Sequence, residues 1–403
     1  MLGLGRELRA RGHRIRFAST PEFAHAAERA GLSFQALEGI PGTTEHPDYY
    51  HPTRSVGLVS QRLLAPALEP VYRAASSVGT ESLVIANCHC YGARVAQERH
   101  GIPLVSCVVS PFHLRSVERL PILPGAPCPT WAPRLLRRAF LHSVSRFWDG
   151  HLQAPVNCFR AKLGLRPVRD IWYDWALSPQ RVLGLFPAWY APNPGDWPSQ
   201  FLHGDFAAFD QTVPDDIPER LTRPGDPVVV FAAGSAGSAA HDFFRAAISA
   251  STGQRWRAVL LTGHNAPDIS SEVPENVTVF KYLPLSKLLR YAAAAVHHGG
   301  LGSISLALGA GVPQVALPFG HDQFDNSARL EALGVGSTVS LKRNVTSELR
   351  RRIACILDDA STAERARRAQ QSAMSAAGLP AVCAQIERDY RDFRRSSVGK
   401  FAA

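Results

Sequence analysis

At 403 residues with 45% apolar content, the chain is long enough to bury two cores, so two domains are expected. Its net charge of +10 does not point to nucleic acid, because the arginines are spread along the chain and no recognition-helix or stacking-sheet motif accompanies them. No apolar run is long enough to cross a bilayer, no secretory signal is legible at the N-terminus, and the seven scattered cysteines fit reduced thiols in a cytoplasmic protein.

In chain order, Leu2 to Gly12 reads as a helix, and His13 to Ala18, Leu83 to Ala86 and Leu104 to Val109 read as strands with helices between. Cys88-His89-Cys90 lacks a second ligand pair at zinc spacing, so no metal is expected there. Residues 131 to 165 form a helical insertion. Its start carries Trp131, Arg134, Leu135, Leu136, Arg137, Arg138, Phe140 and Leu141. That pattern suits either an ordinary helix with a solvated basic side or a peripheral contact with the inner face of an anionic membrane. Proline-rich clusters at Pro214 to Pro218 and Arg223 to Pro227 place a domain boundary between residues 205 and 226.

Beyond the boundary, β/α alternation is regular. Val228 to Ala232 is a buried-type strand ending in Gly234-Ser235-Ala236-Gly237, followed by a helix over Ala239 to Ala250. Strands at Ala258 to Leu261 and Val277 to Phe280, a helix at Leu285 to Tyr291 and a strand at Ala292 to Val296 follow. A small-residue helix, Ser303 to Gly311, and a strand at Gln314 to Leu317 complete the rhythm of a doubly wound parallel sheet.

The most informative stretch is His297-His298-Gly299-Gly300-Leu301-Gly302-Ser303. A glycine-rich turn opening a helix presents free backbone N–H groups together with roughly +0.5 of an elementary charge from the helix dipole, and so favours an anion such as a diphosphate. Gly311-Val312-Pro313 and Asp322-Gln323 follow at fixed spacing.

Together these motifs resemble the donor-binding signature of the GT-B nucleotide-sugar glycosyltransferases, the family containing plant and antibiotic glycosyltransferases. The likeness is nearest to bacterial rhamnosyltransferases acting on lipid or polyketide acceptors, and runs through 83–110, 172–209 and 228–330. It implies an α/β fold of two Rossmann-like, doubly wound domains facing across a cleft. Residues 1–213 would bind the acceptor, 227–379 the nucleotide-sugar, and a last helix in 380–403 would cross back to the first domain.

The resemblance also implies roles. His298 would hold the diphosphate with Gly299, Gly300, Gly302 and Ser303, aided by Gly234 and Ser235 from a facing strand. Tyr282, in Tyr282-Leu283-Pro284-Leu285, would stack on the base, and Asp322 and Gln323 would hold sugar hydroxyls. Leu306 stands where uridine-using relatives carry a ribose-binding glutamate, which favours a dTDP-sugar, rhamnose or another deoxysugar, over a UDP-sugar. The expected chemistry is inverting and metal-independent, with no cofactor beyond the nucleotide-sugar. Helix dipoles would stabilise the departing diphosphate, and a base would take the proton from a hydroxyl of a lipid or small-molecule acceptor.

In relatives, a first strand and a loop carrying the base precede the helix with which this chain starts. The expectation is therefore a chain lacking that central strand, with low activity and lowered stability. The catalytic base is unassigned: His89 and His113 are the weak candidates, and Asn87 stands near where relatives place an orienting aspartate. Phe112, His113 and Trp131 are expected as acceptor-pocket walls. Two other classes stay open: a GT-B-fold nucleotide-sugar epimerase and a non-catalytic nucleotide-sugar-binding partner protein.

Overall fold

The computed structural model describes residues 1–42, 45–126, 129–207, 217–234, 237–263, 273–341, 344–375 and 378–398. Pro214, Asp215 and Asp216 of the expected boundary, and Ser235 of the expected donor site, lie outside the described residues.

The N-terminal domain carries its strands in two sheets. After helix α1 (Leu2–Ala10), strand β1 (Arg16–Ser19) pairs in parallel with β2 (Ser33–Ala36) alone. Strands β3 (Val84–Asn87), β4 (Leu104–Val108), β5 (Arg181–Gly184) and β6 (Phe201–His203) form a second parallel sheet in that order. β1 and β3 each have one pairing partner, and together they line a cavity of about 380 Å³, with Phe17 and Ala18 from one and Ile85 and Ala86 from the other. Leu4 and Leu8 of α1 border the same cavity, as does Met1, whose buried amine titrates below its ordinary value. Between β4 and β5 the chain makes the long helix α2 (Arg134–Lys162). β2, β5 and β6 are strands of three or four residues that periodicity did not announce.

The C-terminal domain is one six-stranded parallel sheet. Its strands are β7 (Val228–Ala232), β8 (Arg257–Leu261), β9 (Val277–Phe280), β10 (Ala294–His297), β11 (Gln314–Ala316) and β12 (Gly336–Thr338). Their spatial order is β12-β11-β10-β7-β8-β9. Every residue of β7 and β10 is buried, because helices cover both faces, and such strands read as continuous apolar runs. Chain order reverses between β7 and β10, and a doubly wound sheet opens its ligand crevice at the carboxyl ends of the strands at such a switch point. Two helices leave the sheet there: α3 (Leu301–Ala310) after β10 and α4 (Gln323–Ala332) after β11.

The last helix, α5 (Gly378–Val398), packs on the N-terminal domain. Its Val382, Cys383 and Ile386 share one apolar cluster with Leu4 and Leu8 of α1, Val105 and Cys107 of β4, and Leu183 of β5. Asp389 receives a two-pronged hydrogen bond from Arg181 at 2.6 and 2.8 Å, and Glu387 receives one from Arg11 at 2.8 Å on each oxygen. Both are the planar geometry at which guanidinium–carboxylate pairs are strongest.

Among the described residues no helix is long and apolar enough to cross a membrane. Of the arginines at the head of α2, Arg134 pairs with Glu118 at 2.9 Å and Arg137 donates to the Val117 carbonyl at 3.0 Å, while Arg138 is exposed.

Candidate active site

The glycine turn sits at the switch point because β10 ends in His297 and α3 begins four residues later. Gly299 has φ of +87°, and a Cβ there would lie 2.8 Å from Ser327 Oγ and 2.9 Å from the Gln323 carbonyl. Only glycine fits. A Cβ on Gly300 would fall 2.3 Å from His298 Nε2, and one on Gly234, after β7, 2.4 Å from His298 Cε1. The two strands at the switch point therefore close on the His298 ring from glycine backbones. Phe319 lies parallel to that ring at 6.1 Å.

The two histidines divide the work. His297 accepts the Gly299 N–H on Nδ1 at 3.0 Å, which fixes its proton on Nε2, donating to Gln314 Oε1 at 2.8 Å. It holds the turn. His298 keeps a buried Nδ1 with no hydrogen-bond partner, and burial, with His297 beside it, pushes its pKa down to about 3. The ring is also held at the Ala232 backbone, so a neutral imidazole there offers an N–H to an anion in the tautomer that carries its proton on Nδ1. Gly300 caps α3 without any side-chain hydrogen bond, Gly302 faces open space and Ser303 is half-buried, so the first N–H groups of the helix are presented outward.

Around this turn, Tyr282 is partly exposed just after β9. Leu283, Leu285 and Leu306 pack into one apolar cluster with Val230, Val259 and Leu288, so the position of a ribose-gripping carboxylate is here part of an apolar wall. Asp322 accepts from Asn326 Nδ2 at 2.8 Å, and burial raises its pKa. Gln323 departs from its expected part. Its Oε1 accepts the backbone N–H groups of Phe319 at 2.7 Å and Gly320 at 3.1 Å, so it shapes the loop before α4 instead of offering that oxygen to a sugar.

The N-terminal domain meets α4 directly. Ser110 Oγ donates to Asn326 Oδ1 at 2.9 Å, and the Ile122 N–H donates to Asp325 Oδ1 at 3.2 Å. Tyr50 packs on Phe319 at 5.4 Å and on His321 at 5.5 Å. Beside this contact opens an apolar pocket of about 290 Å³, lined by Val56, Phe112, Leu123, Phe140, Phe147 and Trp148, with His321 in its wall.

Of the expected acceptor walls, Phe112 lines this pocket. Trp131 does not: it stands 85% exposed ahead of α2. His113 does not line it either, being buried edge-on against His89 at 4.6 Å and tilted against Trp172 at 5.4 Å. His89 in turn lies on Trp172 at 4.5 Å, and Trp172 stacks on Trp148 at 3.9 Å. Burial pushes the His113 pKa down to about 3 and that of His89 well below the ordinary range, which makes both poor proton acceptors near neutrality. Sequence reasoning missed His321, Asn326 and the Tyr49–Tyr50 pair; a histidine directly before the acidic-amide pair was the available signal.

Residues 257–387 match the family described as erythromycin biosynthesis protein CIII-like, C-terminal domain. Oleandomycin glycosyltransferase of Streptomyces antibioticus is 27% identical over 98% of this chain and 89% of its own length. The solved glycotransferase of kitacinnamycin superposes with a TM-score of 0.74 at 22% identity, covering 96% of this chain and 94% of that one. Spinosyn rhamnosyltransferase complexed with thymidine diphosphate gives 0.67 at 20% identity, covering 96% and 95%. The chain has the GT-B fold, and the relatives it resembles over nearly its whole length are antibiotic glycosyltransferases. The pocket beside α2 reaches the C-terminal domain through His321, on the loop that leads into α4.

Proposed function

We propose that this glycosyltransferase moves a deoxyhexose from a dTDP-sugar to a hydroxyl of an apolar natural-product acceptor, with inversion and without a metal ion. The observation that carries the reading is the pairing of two sites around the start of α4: the glycine turn with His298, which packs against Gln323 and Ser327, and the apolar pocket, whose wall includes His321 just before the helix. Free N–H groups at the head of α3 and the His298 ring stand where charge develops on a departing diphosphate, which is the stabilisation the reaction needs. The Leu283–Leu306 wall suits a 2′-deoxyribose, which presents one hydroxyl fewer. The thymidine diphosphate named in the spinosyn complex supports the same donor.

The chain is to be incubated with dTDP-rhamnose or UDP-glucose and a panel of macrolide, anthracycline and flavonoid aglycones, with and without EDTA. Expected is an EDTA-insensitive glycoside from the dTDP donor, its anomeric configuration inverted by NMR. Donor epimerised without acceptor, or dTDP bound without turnover, would replace this reading by one of the other two classes.

A further inference from the structure

We propose that His321 is the residue that receives the proton of the acceptor hydroxyl, a role that rests on the glycosyl-transfer reading above. Three independent observations converge on it. It is one of three non-glycine residues with positive φ, at +53°, among the described residues, and such backbone costs of order 1–3 kcal/mol and concentrates at functional sites. Its side chain lines the 290 Å³ apolar pocket. Its Nε2 is buried with no hydrogen-bond partner, while the ring's own hydrogen bond goes to the backbone of Tyr49. A ring that donates through one nitrogen to a carbonyl keeps the other as a lone pair, which is the tautomer a base requires.

Its surroundings fit the task. Facing His321 are Tyr49 at 4.8 Å and Tyr50 at 5.5 Å from the loop before Arg54, Asp322 as its own neighbour, and His89 and His113 from the carboxyl ends of β3 and β4. Burial lowers its pKa, so the ring is neutral at pH 7; Asp322 and the Tyr49 backbone oppose that shift and favour the imidazolium once formed. Asp322 also carries the position expected to hold the sugar, so base and sugar contact are adjacent in the chain. In the step, the acceptor oxygen forms its bond to the anomeric carbon while the bond from that carbon to the diphosphate oxygen breaks. The diphosphate leaves with the electron pair, and the acceptor proton passes to His321 Nε2. Attack on the face opposite the diphosphate inverts the configuration.

Two variants test this while respecting the backbone. His321→Asn keeps a residue that tolerates positive φ, and His321→Gly removes the ring and leaves room for added imidazole. Both are checked for wild-type melting and dTDP binding before kinetics. Expected is a kcat loss of about 100-fold or more in both, with donor KM within about threefold, and a gain of at least about tenfold for His321→Gly on adding imidazole. The wild-type kcat/KM falls on the acid side as the ring protonates, and this limb disappears in His321→Asn. A kcat within about threefold of wild type, or an acid limb that persists with no imidazole rescue, overturns the assignment. A wild type that binds dTDP but glycosylates no aglycone overturns the transfer reading itself, and the base with it.

Discussion

At the scale of single residues, the glycine turn separates a histidine that builds from one that keeps a ring nitrogen in reserve. His297 is consumed by Gly299 and Gln314, whereas His298 keeps an unpaired nitrogen between two glycine backbones. Replacing His298 by Ala is expected to lower kcat by about 100-fold or more, as for loss of one oriented donor to a developing anion, with the melting temperature nearly unchanged. Steady-state kinetics beside a thermal melt check both halves. Burial of neutral histidines also sets a pH dependence. His113 and His298 titrate at about 3 and His297 at about 4 in the fold, against about 6.5 when unfolded. Above about pH 6.5 both states are neutral and these groups contribute no slope. Below it the unfolded chain binds protons that the folded chain excludes, so stability falls by about 1.4 kcal/mol per pH unit for each, down to their folded pKa. Melting temperatures should hold between about pH 7.5 and pH 6.5 and then drop steadily towards pH 5, and His298→Ala should make the drop shallower.

The turn was legible in the sequence because strand, paired histidines and glycines are contiguous, and local chemistry decides their conformation. The apolar pocket was not. Its walls come from five separate stretches of chain, and an aromatic residue carries no direction in a sequence: Phe112 turned inward and Trp131 outward. Gln323 was expected to hold sugar hydroxyls with Asp322, and nothing in the sequence announced the two backbone N–H groups that the fold places on its oxygen.

At the scale of elements, α4 is the hub. Its first residues face the glycine turn, its Asp325 and Asn326 hold Ile122 and Ser110 of the other domain, and its Arg329 pairs with Asp325 at 3.0 Å with both side chains nearly inaccessible. Removing Asp325 by substitution with Ala leaves Arg329 buried without its counter-charge and frees the Ile122 N–H. A loss of about 3 kcal/mol or more is expected, measured by chemical denaturation, with acceptor KM raised because the Ile122 loop adjoins the pocket wall at Leu123. Elements of this domain were legible where strands are sheathed on both faces, as in Val228–Ala232. β12, with Gly336, Ser337 and Thr338, is a short edge strand without an apolar run and was not.

At the scale of the whole molecule, the two domains differ in how completely their sheets close. The C-terminal sheet is continuous over six strands, whereas β1 and β2 stand apart from β3–β6 across the 380 Å³ cavity. A two-stranded parallel unit with few ladder bonds opens locally at low cost. Hydrogen exchange followed by mass spectrometry should show the Arg16–Ala36 segment exchanging at least about tenfold faster than Val228–Ala232 and Ala294–His297. Equal protection of both would mean that α1 and α5 hold the small sheet rigidly.

Because one helix both braces the glycine turn and registers the domains, the halves of this chain are not interchangeable cassettes. A chimera that takes its C-terminal half from this chain brings Asp325 and Asn326 without the Ser110 and Ile122 they latch onto, and brings Asp389 without Arg181. The workable exchange unit is the C-terminal half together with those three N-terminal contacts. Recombining acceptor and donor preferences among such enzymes is thus a matter of transplanting a joint rather than choosing a cut in the linker.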